Sequence, residues 1–529
     1  MRVRRTAPSR AAGHRRVVLA DVARREWLLQ MLALAAAGCA RRDRRGTARA
    51  STVIMAVASV NDIKPDQTDA DFLIFSPLAE HDEHGELVPR LAQSWERSAD
   101  GLEWTYHLRR DVRWHDGVPV TAHDVKFTLD LLSHPDVRQY HFESATVVDD
   151  YTVTVRVRHF DSIGYQDDIV YYPKHLLEGL DTKQFWSWDF WTHPVGSGPF
   201  RFVRYQPGTM IEFEANPQYF RGKPKIERLV LKFVGAAGLT ELLSGQVDVV
   251  LHGSPSQIPR VLADARFRVY YDVVPMAWVI YWKHSLPLFR DPRVRRALTL
   301  AIDRTECLRI SNLPADVPWS DGVFMPRVLF GGKLPAPLPY DPAEANRLLD
   351  EAGWHERNGD GVRMRDGRPF RFTATVPSGN DLPALAVLVQ AHLRRVGVEM
   401  EIRVLDGTLV RQRRRTGQFE AVFGSALPWT GWQSQDFGRG VASRSNATGY
   451  SNPEAFRLID AAVAATNPDD LDSIYRELTE VYRADLPVTR LVTYVDVFFV
   501  NRHLQGLRRF RARPDRFMED LSLDDRSRR

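Results

Sequence analysis

Between Phe370 and Val404 the chain runs strand, helix, strand, and this order constrains the fold more than any other stretch. Phe370 to Val376 has the β-branched and aromatic content of a strand. Leu382 to Val396 carries apolar residues at helical spacing, and Val398, Met400, Ile402 and Val404 alternate with polar neighbours as a second strand. A strand, a crossover helix and another strand form a βαβ unit, which argues for a mixed or parallel sheet. Other segments fit the same α/β class. Ser51 to Val60 is a short apolar strand, Trp104, Tyr106 and Leu108 alternate with Thr105 and His107, and Val153, Val155 and Val157 mark a further strand. Asp116-Gly117 is a turn signal between Val112/Trp114 and Val118/Val120. Thr121 to Asp124 spells a capping box, opening a helix with Val125, Thr128, Leu129 and Leu132 on one face. Asp291-Pro292 and Asp341-Pro342 start two more helices, with proline at the first helical position. Their buried stripes are Val294, Ala297, Leu298, Ala301 and Ala345, Leu348, Leu349, Ala352, and Gly353 stops the second. A chain of 529 residues has room for about three or four folding units, so several lobes are expected.

The N-terminus has a different character. Residues 1–38 hold eight arginines against Asp21 and Glu26, followed by the apolar run Trp27 to Ala37. That run is too short to cross a bilayer, which needs about 20 residues. A charged start, a short apolar core and small residues before a cleavage point make a secretory signal. Ala36-Ala37-Gly38-Cys39 resembles a bacterial lipobox, with Ala36 where leucine is usual, so Cys39 is the expected lipidation site. Arg24-Arg25-Glu26-Trp27-Leu28 loosely resembles a twin-arginine export motif. Residues 39–50 are Arg-rich without apolar periodicity and form the expected flexible tether.

The same segments explain the charge. The whole chain is +5, but the body from Ala50 onward is mildly acidic, at −5. Such a body has no overall pull toward phosphate backbones, so nucleic acid is not an expected partner. No second long apolar run follows, which leaves a lipid anchor as the expected membrane attachment. Two cysteines, Cys39 and Cys307, provide neither a disulfide framework nor paired metal ligands. Cys307 is expected as a small buried apolar residue rather than a reactive thiol.

No phosphate loop, Gly-x-Ser-x-Gly elbow or His-Glu-x-x-His motif is present, and no catalytic residue, metal ligand or cofactor is assigned. Glu80-His81-Asp82-Glu83-His84-Gly85-Glu86 has the composition to bind a divalent metal, but a solvated loop between Leu78 and Leu87 is the favoured reading. Aromatic residues are more suggestive. Trp186, Trp188 and Trp191 crowd one segment, Tyr281 and Trp282 follow Trp278, and Trp429 and Trp432 lie in a loop-like stretch flanked by Pro428 and Gly431. Flat rings suit stacking on solutes, while core packing is the usual role of a single tryptophan.

Motifs along the body resemble, in order, those of the extracellular solute-binding proteins of family 5, the oligopeptide-, dipeptide- and nickel-type receptors of ABC importers. They are Leu87 to Glu96, Leu102 to Leu129, Pro173 to Leu176, Pro194 to Phe200, Asn216 to Phe220, Gly245 to Asp248, Asp291 to Arg304 and Tyr340 to Trp354. The resemblance implies a periplasmic-binding-protein type II-like fold: two lobes with a hinge, plus an extra domain. It places lobe I at 51–75 with 186–272 and 489–529, the extra domain at 76–185, and lobe II at 273–488. Crossovers near Tyr271–Met276 and Leu486–Thr489 would be hinges. It also implies a monomer that captures a peptide-like or other small solute and delivers it to ABC permease subunits, and that is not an enzyme. A sensory or chaperone-like binding module of the same fold, or a secreted hydrolase, are the alternatives. Asp116-Gly117 is expected to make a hairpin turn, and Gly196 and Gly198 a tight bend, as structural rather than binding residues.

Two departures bear on substrate. Peptide-binding members carry an aspartate for the α-amino group about ten residues after a Phe-Asp or Phe-Glu strand start. Here that start is Phe419-Glu420, and the count reaches Trp429, with Asp436 nearby as a substitute. The asparagine usual before the Pro-x-Phe stretch is missing as well, since Trp282-Lys283-His284 precedes Pro287-Leu288-Phe289. Both departures favour a sugar-like or aromatic-contacting solute. The expected ligand-binding residues are Trp429, Trp432, Asp436, Tyr281, Trp282, Asn61 and Asp62.

Overall fold

The structure, a computed structural model, describes residues 52–57, 70–82, 87–137, 142–157, 169–313, 336–378, 382–426, 448–466, 468–508 and 516–524. Its main element is a ten-stranded mixed sheet. In chain order the strands are β1 (Thr52–Val57), β2 (Phe200–Gln206), β3 (Met210–Ala215), β4 (Arg228–Phe233), β5 (Val249–Val250), β6 (Phe267–Trp282), β7 (Arg371–Pro377), β8 (Glu399–Leu405), β9 (Ala421–Ala426) and β10 (Val488–Asn501). Their spatial order is β8-β7-β9-β6-β10-β5-β1-β4-β3-β2. The expected βαβ unit is present: β7 and β8 pair in parallel, joined by the helix Leu382–Arg395. Val404 is the exception in its stripe, since it is exposed near the free edge of β8.

The two longest strands hold the halves of this sheet together. β6 and β10 pair antiparallel from Phe267 opposite Asn501 to Tyr281 opposite Val488. Three buried clusters flank the sheet. One joins β1–β4 to a separate four-stranded antiparallel sheet, ordered Ala92–Arg97, Glu103–Leu108, Thr152–Val157, Phe142–Asp149. The helix Ala122–Ser133 packs there, and its capping box is formed by Thr121 and Asp124 as the spacing predicts. A second cluster packs Pro292–Leu300, Pro342–Glu351 and Leu382–Arg395 on the other half, and a third packs Pro453–Ala464 and Pro468–Asp485 on the opposite face. The Trp188 and Trp191 rings are buried around Phe185, so that aromatic crowd is core.

Two loop expectations change. The chain bends at 197–199 as expected, but Gly196 and Gly198 do not adopt positive φ, so the bend does not depend on that freedom. They are glycines because the backbone of Leu73 and Ile74 lies against them: a Cβ on Gly196 would sit 1.8 Å from the Ile74 carbonyl oxygen, and one on Gly198 2.5 Å from that of Leu73. Glu80 is not in a solvated loop. It lies on a short strand, Ala79–His81, buried against Arg90, which also donates to Glu519 at 2.7 Å. Burial raises the Glu80 carboxyl pKa, opposed by Arg90 and Arg516. Asp116-Gly117 does make its turn, with Gly117 at φ 95°.

Candidate functional site

Where β6 crosses β10 the ladder is irregular. The register slips between Val273 and Ala277, and again between Trp278 and Val279. A cleft of about 480 Å3 opens beside these slips. Its floor comes from Trp278 on β6 and Val492 to Val495 on β10. One wall is the loop His252 to Pro255, just past the carboxyl end of β5, which runs parallel to β1. Open α/β sheets hold ligands at that end of their strands. The other wall is Ser311 and Leu313, after the helix Arg304–Ile310.

Each side chain has a local reason for its place. Trp278 is half-buried and meets Tyr494 edge to face, with ring centroids 5.4 Å apart and planes at 80°. Edge-to-face pairs of this kind favour a fixed mutual geometry. His252 sits at φ 55°, a left-handed conformation that costs a non-glycine residue energy and is common at binding sites. Its Nδ1 lies 2.6 Å from Oδ2 of Asp496, whose other oxygen accepts from the Val497 backbone N–H at 3.1 Å. Gly253 donates its N–H to the Val497 carbonyl at 2.7 Å, and a Cβ there would meet the Phe499 ring at 2.5 Å. The loop is therefore pinned to β10. Ser311 caps its helix with a backbone N–H bond to the Cys307 carbonyl, while its buried Oγ has no hydrogen-bond partner among the described residues.

The expected binding residues are distributed differently. Trp429, Trp432, Asp436, Asn61 and Asp62 lie outside the described residues, as does Cys39. Tyr281 and Trp282 require a correction, since both are interior. The Trp282 ring packs on Phe289 and Phe372 at 5.0 and 5.8 Å, and its Nε1–H donates to Thr489 Oγ1 at 3.0 Å. Tyr281 donates its hydroxyl to the Ser425 carbonyl at 2.9 Å, under the Arg414 guanidinium. Neither ring is presented to the cleft. His252, Ser254, Ser311, Thr493 and Tyr494 were not anticipated. The one available signal was His252-Gly253-Ser254-Pro255, a turn sequence directly after the apolar Val249-Val250-Leu251. No group of three or more His, Cys, Asp or Glu able to hold a metal occurs among the described residues.

A mixed sheet whose two halves share a pair of long strands, with a cleft at the crossing and a separate four-stranded antiparallel sheet, is a type II-like α/β fold. The chain belongs to the bacterial extracellular solute-binding proteins, family 5, whose middle region matches residues 86–448. It is 27% identical over 482 residues to the oligopeptide-binding protein AppA of Bacillus subtilis, covering 86% of each chain. Among solved structures it resembles NikZ from Campylobacter jejuni in complex with Ni(L-His), at TM-score 0.73 and 24% identity, over 89% of this chain and 99% of that one. It resembles Bacillus subtilis AppA in complex with a nonapeptide at TM-score 0.70 and 23% identity, over 90% and 99%. Members of this family are binding receptors of transport systems rather than enzymes, and this chain is such a receptor. No helix among the described residues is long and apolar enough to cross a membrane.

Proposed function

We propose that the chain is an exported receptor, tethered by lipid on Cys39, that captures a small solute in the cleft at the β6–β10 crossing and delivers it to an ABC import permease. The observation that carries this reading is the cleft itself. Its volume of about 480 Å3 falls in the range of about 300–1,000 Å3 usual for small-molecule sites, and it lies where the two sheet halves share strands. Lobe I comprises 51–75, 186–272 and 489–529, the extra domain 76–185, and lobe II 273–488. The register slip after Val273 falls within the expected crossover Tyr271–Met276, and Leu486, at φ 43°, begins the second. Closure on a solute is then a population shift between open and closed arrangements, driven by contacts that only the closed form makes. Trp429, Trp432 and Asp436 complete the site from the lobe II side, and Asn61 and Asp62 from lobe I.

The test is a thermal-shift screen of the body from Ser51 onward against peptides, oligosaccharides, amino-acid conjugates and nickel chelates. A solute at 100 times its Kd stabilises the folded state by about 2.7 kcal/mol, enough to see. A hit whose shift disappears in Trp278→Ala while that variant stays folded supports the cleft. A complete absence of hits, or hits indifferent to this substitution, counts against it. For the anchor, Cys39→Ser should release the protein from the membrane fraction of expressing cells.

A further inference from the structure

We infer that an arginine-rich face on the half of the sheet proposed as lobe II, built on the helix Gly407–Thr416, is a docking surface for an anionic phospholipid bilayer. This rests on the reading of the chain as a membrane-tethered receptor and deepens it. Charge is spread unevenly over the body. Residues 352–416 hold twelve arginines against seven carboxylates, a net of +5, while the body from Ala50 is −5, so everything else in it carries −10. The arginines concentrate on one helix. Gly407–Thr416 contains Arg411, Arg413, Arg414 and Arg415 and no acid. It follows directly on β8, the edge strand of the ten-stranded sheet. The carboxylate before it, Asp406, is its N-cap and accepts from the Thr408 N–H at 2.8 Å. Val410 is buried, and the Arg414 guanidinium lies over the Tyr281 ring at 5.0 Å, so these two mark the inward side. At about 3.6 residues per turn, Arg411, Gln412 and Arg415 fall on the opposite side, where all three are exposed. Leu409, 39% exposed, adds an apolar side chain to this basic face. Guanidinium groups pair with phosphate, and the boundary between headgroups and acyl chains accepts an apolar side chain among them. A flat anionic surface attracts this face and repels the remaining −10, so the charge pattern selects one orientation. The bilayer is favoured over an acidic protein because the proposed lipid on Cys39 holds the chain beside one, and weak headgroup contacts then become intramolecular. The orientation suits delivery. β8 and β9 both run parallel to β7, and the carboxyl end of β9 places Ala426 opposite Ala277, next to Trp278 of the cleft floor. The helix after β8 therefore starts on the cleft side of this half, and docking through it brings that side to the membrane in which an import permease lies.

The experiment floats the body from Ser51, whose compact unit runs from Val53 to Arg529, with liposomes of phosphatidylcholine alone or mixed equally with phosphatidylglycerol, at low and at physiological salt. Three proteins are compared: wild type; the triple variant Arg411→Gln, Arg413→Gln, Arg415→Gln; and a charge-matched control, Arg266→Gln, Arg347→Gln, Arg457→Gln, which removes three exposed arginines elsewhere. The wild type should bind the mixed liposomes, leave the neutral ones alone and bind less as salt rises. Each arginine near an anionic surface is worth about fivefold in partitioning, so the triple variant should bind about a hundredfold more weakly while the control stays close to wild type. The single variants Arg411→Gln and Arg415→Gln, each about fivefold weaker, serve if the triple variant does not fold. Arg413, Arg414 and Arg415 also lie at the negative end of the helix dipole, where cations stabilise it. If that is their whole role, the triple variant melts at a lower temperature and binds liposomes as wild type does, which overturns the inference. Equal binding to neutral liposomes, or binding to neither kind, overturns it too. If the wild type ignores the mixed liposomes but binds polyglutamate through the same arginines, the bilayer is the wrong partner and an acidic protein face takes its place. These measurements contain no solute and no lipid anchor, so the receptor reading is judged separately by the thermal-shift screen, and the anchor by Cys39→Ser.

Discussion

Replacing Gly196 with alanine tests whether close backbone approach explains the Gly-Ser-Gly motif. The added Cβ would stand 1.8 Å from the Ile74 oxygen, 2.6 Å from its carbonyl carbon and 2.8 Å from its Cγ2. Two of those three atoms are main chain, so no side-chain rotation relieves the clash, and the two segments must part by more than 1 Å to reach even a tight contact of about 3 Å. Several hydrogen bonds occupy that space. Gly198 donates to the Ile74 carbonyl at 2.7 Å, His115 donates its N–H to the Gly196 carbonyl at 2.7 Å, and Asn216 Nδ2 donates to the Gly198 carbonyl at 3.1 Å. A shift of that size breaks at least the first two. At about 1–3 kcal/mol for each of two buried groups left unpaired, plus about 1–3 kcal/mol of overpacking, the loss is about 3–9 kcal/mol. That is a large share of a typical stability of about 5–15 kcal/mol. Urea denaturation followed by tryptophan fluorescence measures it. Gly359→Ala is the control, since nothing lies within 4 Å of a Cβ there and φ is not positive. The reasoning fails if Gly196→Ala unfolds within 1 kcal/mol of wild type and of Gly359→Ala, at unchanged slope.

Three further outcomes are expected. Cys307 is fully buried and burial pushes its thiol pKa up to about 12, so in the body from Ser51 a thiol reagent should leave the native protein unlabelled and modify one cysteine per chain in denaturant. His284 is buried, with Nε2 bound to the Pro487 carbonyl at 3.0 Å, and burial together with Arg295 lowers its pKa from 6.5 to about 4. Between those values the unfolded chain binds the proton and the folded one does not, so stability is lost as pH falls from about 6.5 toward 4. The shift is worth about 3 kcal/mol at most, and His284→Gln should lose less over that window in urea titrations at pH 7.5 and 5. Arg295 makes five hydrogen bonds to the carbonyls of Asp485, Leu486, Phe289 and Arg290. Lysine has one nitrogen in place of that fork, so Arg295→Lys should cost about 2–4 kcal/mol in the same assay, and near-equality with wild type would refute the clamp.

Features that depend on neighbours in the chain were legible. The Thr121/Asp124 box, the Pro292 and Pro342 helix starts, the Asp116-Gly117 turn and the parallel pairing of β7 with β8 all follow from residues a few positions apart. Features set by distant segments were not. Glu80 looked like part of a solvated charge run because Arg90 arrives from a bend ten residues on and Glu519 from more than four hundred residues away. Gly196 looked like a bend because its partner, Ile74, is more than a hundred positions earlier.

The tryptophans of β6 show why the site was the least readable part. Trp278 and Trp282 are four positions apart, so the period-two rule places them on one face of the strand, and composition offers no reason to separate them. Their fates differ because of what the rest of the chain brings to each. Phe289 and Phe372 cover Trp282 from a loop and from β7, one strand beyond β9, and Thr489 on β10 takes its N–H. At Trp278 the ladder with β10 slips, and the ring meets Tyr494 and open space instead. The cleft thus forms where the pairing of two strands more than two hundred residues apart becomes irregular. Its other walls come from the end of β5 and the end of the helix Arg304–Ile310. No short window of the sequence contains both of those walls, so a cleft-lining residue such as Ser311 is recognisable only once the fold has brought them together.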